Sequence, residues 1–203
     1  MNASIRHSPL SAADVASVAR LHQASFPTFF LSQLGVGFLE QFYAAFLADD
    51  TAITVVARRP SGTVAGVAVG TTEPDGYFSR LLRRRWLQFG AVSARAAIRR
   101  PSTVPRLLRA VRYRGGTAPP AGGALLSSIC VLPDARGAGA GLLAAWEAEA
   151  TTAGASRAYL TTDAIDNDSV NDFYQRNRWV LDTQETTPKG RLMNRYAKEL
   201  ETP

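Results

Sequence analysis

The sequence predicts an α/β fold, a mixed sheet of about seven strands flanked by helices. Three observations carry this expectation. Short β-rich runs alternate with longer stretches whose apolar residues recur at helical spacing. Proline and glycine punctuate the junctions between them. The 203 residues, 46% hydrophobic and 20% charged, suit one domain (1–203) with a sizeable core.

The elements follow in order. Ser4–Pro9 reads as a short strand. Ser11 with Asp14 three residues on is a capping-box pattern, and Val15, Val18, Ala19, Leu21 and His22 then recur at helical spacing up to Pro27. A second helix is expected over Leu31–Ala48, with Leu34, Phe38, Leu39, Phe42, Phe46 and Leu47 as its apolar stripe. Ile53–Arg58 and Val64–Thr71 flank the turn Pro60-Ser61-Gly62 and read as a hairpin. Phe78, Leu81, Leu82, Arg85, Trp86 and Phe89 predict a helix over about Tyr77–Ile98, which Pro101 and Pro105 break. A shorter helix is expected over Val104–Arg112, and a Gly/Pro/Ala-rich loop over Gly115–Gly123. Ala124–Leu132 is a strongly apolar strand. Gly137–Gly141 is a glycine-rich turn, and Leu142–Ala153 a helix stopped by Gly154. Arg157–Thr162, Trp179–Thr183 and Leu192–Lys198 read as strands, with a helix over Ser169–Asn177 between the first two.

Composition excludes several classes. An uncharged stretch from Leu21 to Leu39 carries His22, Gln23, Ser25, Pro27, Thr28, Ser32 and Gln33, too polar for a spanning helix. The first residues lack a signal-peptide pattern, so a cytoplasmic protein is the default expectation. The single Cys130 excludes a disulfide framework. With only His7 and His22 besides, no metal site is expected. The net charge of +6 is concentrated: residues 76–118 hold eleven arginines and no acid or lysine, and the rest of the chain is acidic. That segment has the charge to meet an anionic partner or a membrane surface. A solvated basic face over a local apolar seam is the plainer alternative. No nucleic-acid-binding signature accompanies the arginines, and nucleic acid is not expected as a partner.

The most informative stretch runs from Ser128 to Leu143. An apolar strand leads into Arg136-Gly-Ala-Gly-Ala-Gly141 and straight on into a helix. The first turn of a helix has unpaired N–H groups and a positive dipole end. Glycines let an anion approach closely and permit positive φ, and Arg136 adds charge. This is a pyrophosphate cradle in kind. It is not a Walker loop, because Leu142-Leu143 follow Gly141 where Lys-Ser/Thr is needed. It is not a dinucleotide fingerprint either, because the glycine spacing is wrong. From the glycines alone, a tight ligand-free strand-to-helix connection stays open.

Two blocks together narrow the reading. Arg136-Gly-Ala-Gly-Ala-Gly141 fits R/Q-x-x-G-x-G/A between strand and helix. Asn167-Asp-Ser-Val-Asn-Asp-Phe173-Tyr174 resembles N-x-x-(A/S)-x-x-(F/L)-Y at its Asn, Phe and Tyr positions, with Val170 at the A/S position and Arg178-Trp179 where Gly-Phe is usual. From about Ala124 to Trp179 the chain resembles the GNAT superfamily of N-acetyltransferases. The resemblance implies a mostly antiparallel sheet with a helical insertion before its central strand. It implies acetyl-CoA as co-substrate, with backbone groups of Ile129, Cys130 and Val131 along the pantetheine arm. Arg136, Gly137, Ala138, Gly139, Ala140 and Gly141 would lie at the pyrophosphate, with Asn167 and Phe173 beside the cofactor. Tyr174 would act as proton donor to the leaving thiolate.

The implied reaction is direct transfer of an acetyl group to a primary amine of a small molecule, an amino sugar or nucleotide-linked amino sugar among the candidates. A longer acyl-CoA or acyl carrier protein donor, or a non-catalytic acyl-CoA sensor, are the alternatives. A homodimer fits equally. The amine must lose a proton, since a free alkyl ammonium has a pKa of about 10. Glu73, Asp75 and Asp163 are candidate bases, each with a solvated loop acid as the plainer reading. Ser127 and Ser128 stand on the central strand where some relatives have an acid. By resemblance, the aromatic segment His22–Phe30 borders the acceptor site.

Overall fold

The computed structural model describes residues 5–84, 123–188 and 190–201. Seven strands form one sheet in the order β1-β2-β3-β4-β5-β7-β6. They are β1 (Arg6–Ser8), β2 (Ala52–Arg58), β3 (Val64–Thr71), β4 (Gly123–Val131), β5 (Arg157–Asp163), β6 (Val180–Thr186) and β7 (Leu192–Glu199). Every neighbouring pair is antiparallel except β4–β5. The expected hairpin is β2–β3. The helices are α1 (Val15–Ser25), α2 (Phe30–Gln33), α3 (Val36–Leu47), α4 (Tyr77–Arg84), α5 (Gly139–Thr152) and α6 (Asp168–Arg176).

Strand alternation divides the core into two layers. Val56, Val67, Val69 and Cys130 face α1, α3 and α4, against Val18, Leu39, Phe42, Phe46, Tyr77 and Leu81. Ile53, Val55, Ala68, Leu126, Ala158 and Leu160 face α5 and α6, against Leu142, Leu143, Trp146 and Tyr174. Trp146 is fully buried, and a side chain of that size contributes about 2–3 kcal/mol by burial. Between the layers' ends, Glu147 accepts from Trp179 Nε1 at 2.7 Å and from Lys198 Nζ at 2.6 Å, tying α5 to both ends of the last hairpin.

The expected helix over Leu31–Ala48 is two helices. Gly35 between them has φ +93°, a left-handed conformation that no α-helix continues through, and α3 starts after it. Four of the expected stripe residues after Gly35 are buried as expected, whereas Leu47 is 38% exposed at the frayed end. Ser11 and Asp14 do interact, the Ser11 N–H donating to Asp14 Oδ2 at 2.9 Å. The carboxylate also takes Arg58 of β2 bidentately, at 2.9 and 2.6 Å, which holds its pKa below the ordinary carboxylate range. The helix expected from Tyr77 is seen as far as Arg84. Its remainder, the helix over Val104–Arg112 and most of the loop after it lie outside the described residues.

The glycine-rich stretch is not an open turn. Pro133–Ala138 forms a 3₁₀ helix, and α5 begins directly at Gly139, three residues earlier than its apolar pattern suggests. Gly154, at φ +89°, ends α5 as expected. Arg178, where the resemblance leads one to expect glycine, has φ +65°. The turn keeps its left-handed geometry with an arginine in it. Trp179 lies just before β6 and is buried.

Candidate active site

The site starts from an irregularity in β4. Val69 pairs with Ser128 but Gly70 pairs with Leu126, so Ser127 is an extra residue without a partner on β3. A bulge bends its strand and raises the local twist. On its other edge, β4 pairs with β5 over only three residues, Gly123–Leu125 against Arg157–Tyr159. Beyond the bulge the two strands part. Ile129, Cys130 and Val131 therefore border an open slot, and backbone groups on that edge need a partner that the sheet does not supply.

At the head of the slot stands the N-terminus of α5. Its first turn carries no acid. Gly137, Gly139 and Gly141 do not have positive φ, so backbone strain is not why they are glycine. A Cβ on Gly137 would meet nothing within 4 Å. One on Gly139 would touch the Phe173 ring at 3.4 Å, and one on Gly141 the His7 ring at 3.4 Å. Ala138 and Ala140 are small as well. The arrangement is a helix end stripped of side chains, into which an anion fits. The backbone of Arg136 lies in the 3₁₀ helix, and its side chain is outside the described ones.

Across the slot, β5 runs into α6 through Asn167. Its Nδ2 donates to Thr162 Oγ1 at 2.9 Å and to the Asp163 carbonyl at 3.0 Å. The side chain therefore does not cap α6. It anchors the helix start to the end of β5, and its carbonyl oxygen can accept from an amide in the slot. Asn171 continues the network, donating to the Asp163 carbonyl and accepting from Asn194 Nδ2 at 2.9 Å. Two residues on, the Phe173 ring lies beside Gly139. Tyr174 is packed among Phe173, Trp179 and Tyr196, with ring centres 5.3, 6.0 and 5.7 Å away. Burial pushes its phenol above the ordinary tyrosine range, so it keeps its proton at neutral pH. Thus Ile129–Val131 edge the β4–β5 gap, Asn167 anchors the end of β5, Gly139 approaches Phe173, and Tyr174 lies in the core beside Phe173.

The other face of the slot is built from α1, α3 and the loop after α1. His22 is not in that loop. It lies in the last turn of α1, buried, with Nδ1 2.8 Å from the Tyr43 hydroxyl. Burial lowers its pKa to about 4, which makes it a neutral core histidine. The Tyr43 hydroxyl faces Ser128, and Ser25 faces the Cys130 thiol. That thiol is pushed up to about 12 by burial and is no nucleophile. Of the candidate bases, Asp163 is held bidentately by Arg191, with Nη2 2.7 Å from each carboxylate oxygen. Glu73 is 3.6 Å from Arg80, which also donates to the Asp75 carbonyl. Tyr43 and Arg191 were not singled out from the sequence. Both act through contacts between elements far apart in the chain, and no local pattern marks them. Among the described residues no group of three potential metal ligands occurs, and no helix is long and apolar enough to cross a membrane.

No protein-family model matches the chain, and no curated protein matches it in sequence. Solved structures do match. A protein from Desulfovibrio desulfuricans assigned to the GNAT family of acetyltransferases superposes with a TM-score of 0.62 at 16% identity, over 98% of this chain and 99% of that one. The ribosomal-protein-S18-alanine N-acetyltransferase from Escherichia coli gives 0.60 at 14%, over 98% and 96%. The spermidine/spermine N-acetyltransferase SpeG from Vibrio cholerae gives 0.60 at 12%, over 98% and 95%. With the sheet order, the splayed β4–β5 seam and the glycine-bearing start of α5 already described, these likenesses establish that the chain has the GNAT fold.

Proposed function

We propose that the protein is an N-acetyltransferase, moving an acetyl group from acetyl-CoA to a primary amine by direct attack. The observation that carries this reading is the β4–β5 slot, headed by a bare helix N-terminus and flanked by a buried, protonated tyrosine.

Acetyl-CoA supplies an activated acyl group on a thiol that leaves readily. The chain's own residues do the rest. Amides at the start of α5, Gly137–Gly141, hold the pyrophosphate, and Arg136 adds a positive charge in the same short stretch. The open edge of β4 at Ile129–Val131 and the Asn167 carbonyl oxygen run alongside the pantetheine arm, with Phe173 packed next to it. A backbone N–H on this edge, near Val131, stabilises the charge that develops on the thioester oxygen. Tyr174 Oη holds a proton for the departing sulfur. Glu73 and Asp163 are engaged by arginines, and the amine's proton leaves to water or to Asp75, whose charge reaches Tyr159 of β5.

The protein acts as one domain, 1–203, on a small-molecule amine. Amino sugars, including nucleotide-linked ones, head the acceptors to screen. A longer acyl-CoA, an acyl carrier protein donor, and acyl-CoA sensing without transfer are the alternative readings.

That experiment is calorimetric titration with acetyl-CoA of the wild type and of Gly137→Glu. The open space around Gly137 lets the fold accept the substitution, while the carboxylate repels a pyrophosphate. Binding by the wild type that the variant loses supports the reading. A folded wild type that binds neither acetyl-CoA nor CoA overturns it.

A further inference from the structure

The slot has a second side, opposite α5 and α6, and one contact cluster there plays no part in the steps above. Ala158 and Leu160 of β5 pack under α5 and α6, so alternation turns Tyr159, Thr161 and Asp163 to the α1 side. Asp163 ends β5 on that side. Its carboxylate takes Nε and Nη2 of Arg191, the Nε at 3.1 Å. Arg191 is itself fixed at the β6–β7 turn: its N–H donates to Thr187 Oγ1 at 3.1 Å, and its carbonyl accepts the Thr187 N–H at 2.8 Å.

The same guanidinium lies 6.0 Å from the ring centre of Phe29. Phe29 belongs to the short loop between α1 and α2, and its ring is 5.7 Å from that of Phe26. The helices α1 and α3 cover β2, β3 and β4. To reach Arg191, this loop has to extend past the ends of β4 and β5 and so roofs the splayed gap. The contact is at the surface: Phe29 is 47% exposed and the Arg191 side chain 54%. A roof held by a cation over one aromatic face is easily opened.

We propose that Arg191 is the specificity-determining residue of the acceptor side, an assignment that rests on the acetyltransfer reading above. It pins the Phe26–Phe29 loop over the gap and neutralises the carboxylate at the end of β5. At this corner of the gap an incoming amine meets the Phe26 and Phe29 rings and a guanidinium in place of a free Asp163 carboxylate, and the Asp75 charge acts farther along, at Tyr159. Such a rim admits an amine on an aromatic or apolar carrier and repels a polycation, which would need an unpaired acid.

The test uses acetyl-CoA with two probe amines, phenethylamine and spermidine, following release of the CoA thiol. Wild type, Arg191→Met and the double variant Arg191→Met/Asp163→Asn are compared. The wild type is expected to favour phenethylamine. In Arg191→Met the freed carboxylate should shift the kcat/KM ratio at least about tenfold toward spermidine, and the double variant should return it to within about threefold of wild type. Amide hydrogen exchange over Phe26–Phe29 should quicken in Arg191→Met and stay unchanged over α5. An unchanged ratio, a shift that persists in the double variant, or no turnover of either amine by any of the three overturns the proposal. Calorimetry with acetyl-CoA keeps the two readings apart. Retained binding with an unchanged ratio removes only the role of Arg191, whereas no binding by the folded wild type removes the acetyltransfer reading beneath it.

Discussion

The two seams of β4 differ in kind. Toward β3 it is paired along almost its whole length, and glycines draw the layers together: Gly66 lies against Val131 and Leu142, and Gly70 against the Leu125 carbonyl and Trp146. Toward β5 it is paired for three residues and then open. One strand therefore carries a closely packed seam on one edge and the candidate site on the other. The glycines mark the contrast. At Gly70 a side chain is forbidden by the protein itself, whereas at Gly137 nothing in the protein forbids one. Glycine in the closed seam serves packing, and glycine at the open seam leaves room.

The sharpest way to break this comparison is Gly70→Ala. A Cβ there would lie 2.5 Å from Trp146 Cζ2 and closer still to the Leu125 carbonyl, so backbone must move. Loss of about 3 kcal/mol in denaturant unfolding, or failure to fold, is expected. A near-neutral result would mean that the closed seam is soft.

A second probe concerns the face that the open seam shares with α1. The folded-state pKa of His22 is about 4 against 6.5 unperturbed. The unfolded chain therefore binds the proton first. The contribution is complete above pH 6.5 and is lost as pH falls toward 4, by about 3 kcal/mol at most. Unfolding free energy measured from pH 7 to 4 should show that slope, and His22→Asn should flatten it. Asp14, lowered by Arg58, adds its own loss only below its ordinary carboxylate range.

At the open seam, Tyr174→Phe should lower kcat about 100-fold while leaving the acetyl-CoA Kd within about twofold, since only the proton is removed. An unchanged kcat would return Tyr174 to the core it packs in. The smallest expected effect is that of Gly137→Ala: unfolding within about 0.5 kcal/mol of wild type, with acetyl-CoA affinity down about tenfold. A stability loss as large as that at Gly70 would erase the distinction between the seams.

Much of the fold was legible because its signals are local. The β-rich runs Ile53–Arg58 and Val64–Thr71, the apolar run of β4 and Gly154 after α5 are each readable within ten residues. The errors were local as well. Gly35 looks like an ordinary helix residue in the sequence because a glycine inside an apolar stripe shows no φ. The apolar pattern marks α5 only from Leu142 because Gly139-Ala-Gly141 has poor helix propensity, yet the helix starts at Gly139. The two blocks were legible through residue spacing, Asn167 and Tyr174 lying about two helical turns apart on one helix; that Gly139 meets Phe173 is seen only in the fold. The pairing of the acids was not legible. Asp163 reads as a free acid until Arg191 is found beside it, 28 residues away.

The sequence by itself determined the order and type of most elements, the β2–β3 hairpin and the end of α5 at Gly154. Each of these follows from side-chain period and backbone freedom within a short window. Only the tertiary structure decided that β4 parts from β5 after Leu125, that Gly70 carries a packing role which Gly137 lacks, and that Asp163 is paired while His22 is buried neutral. Those outcomes depend on which strand edges and charges meet after long loops close, and no short stretch of chain contains both partners.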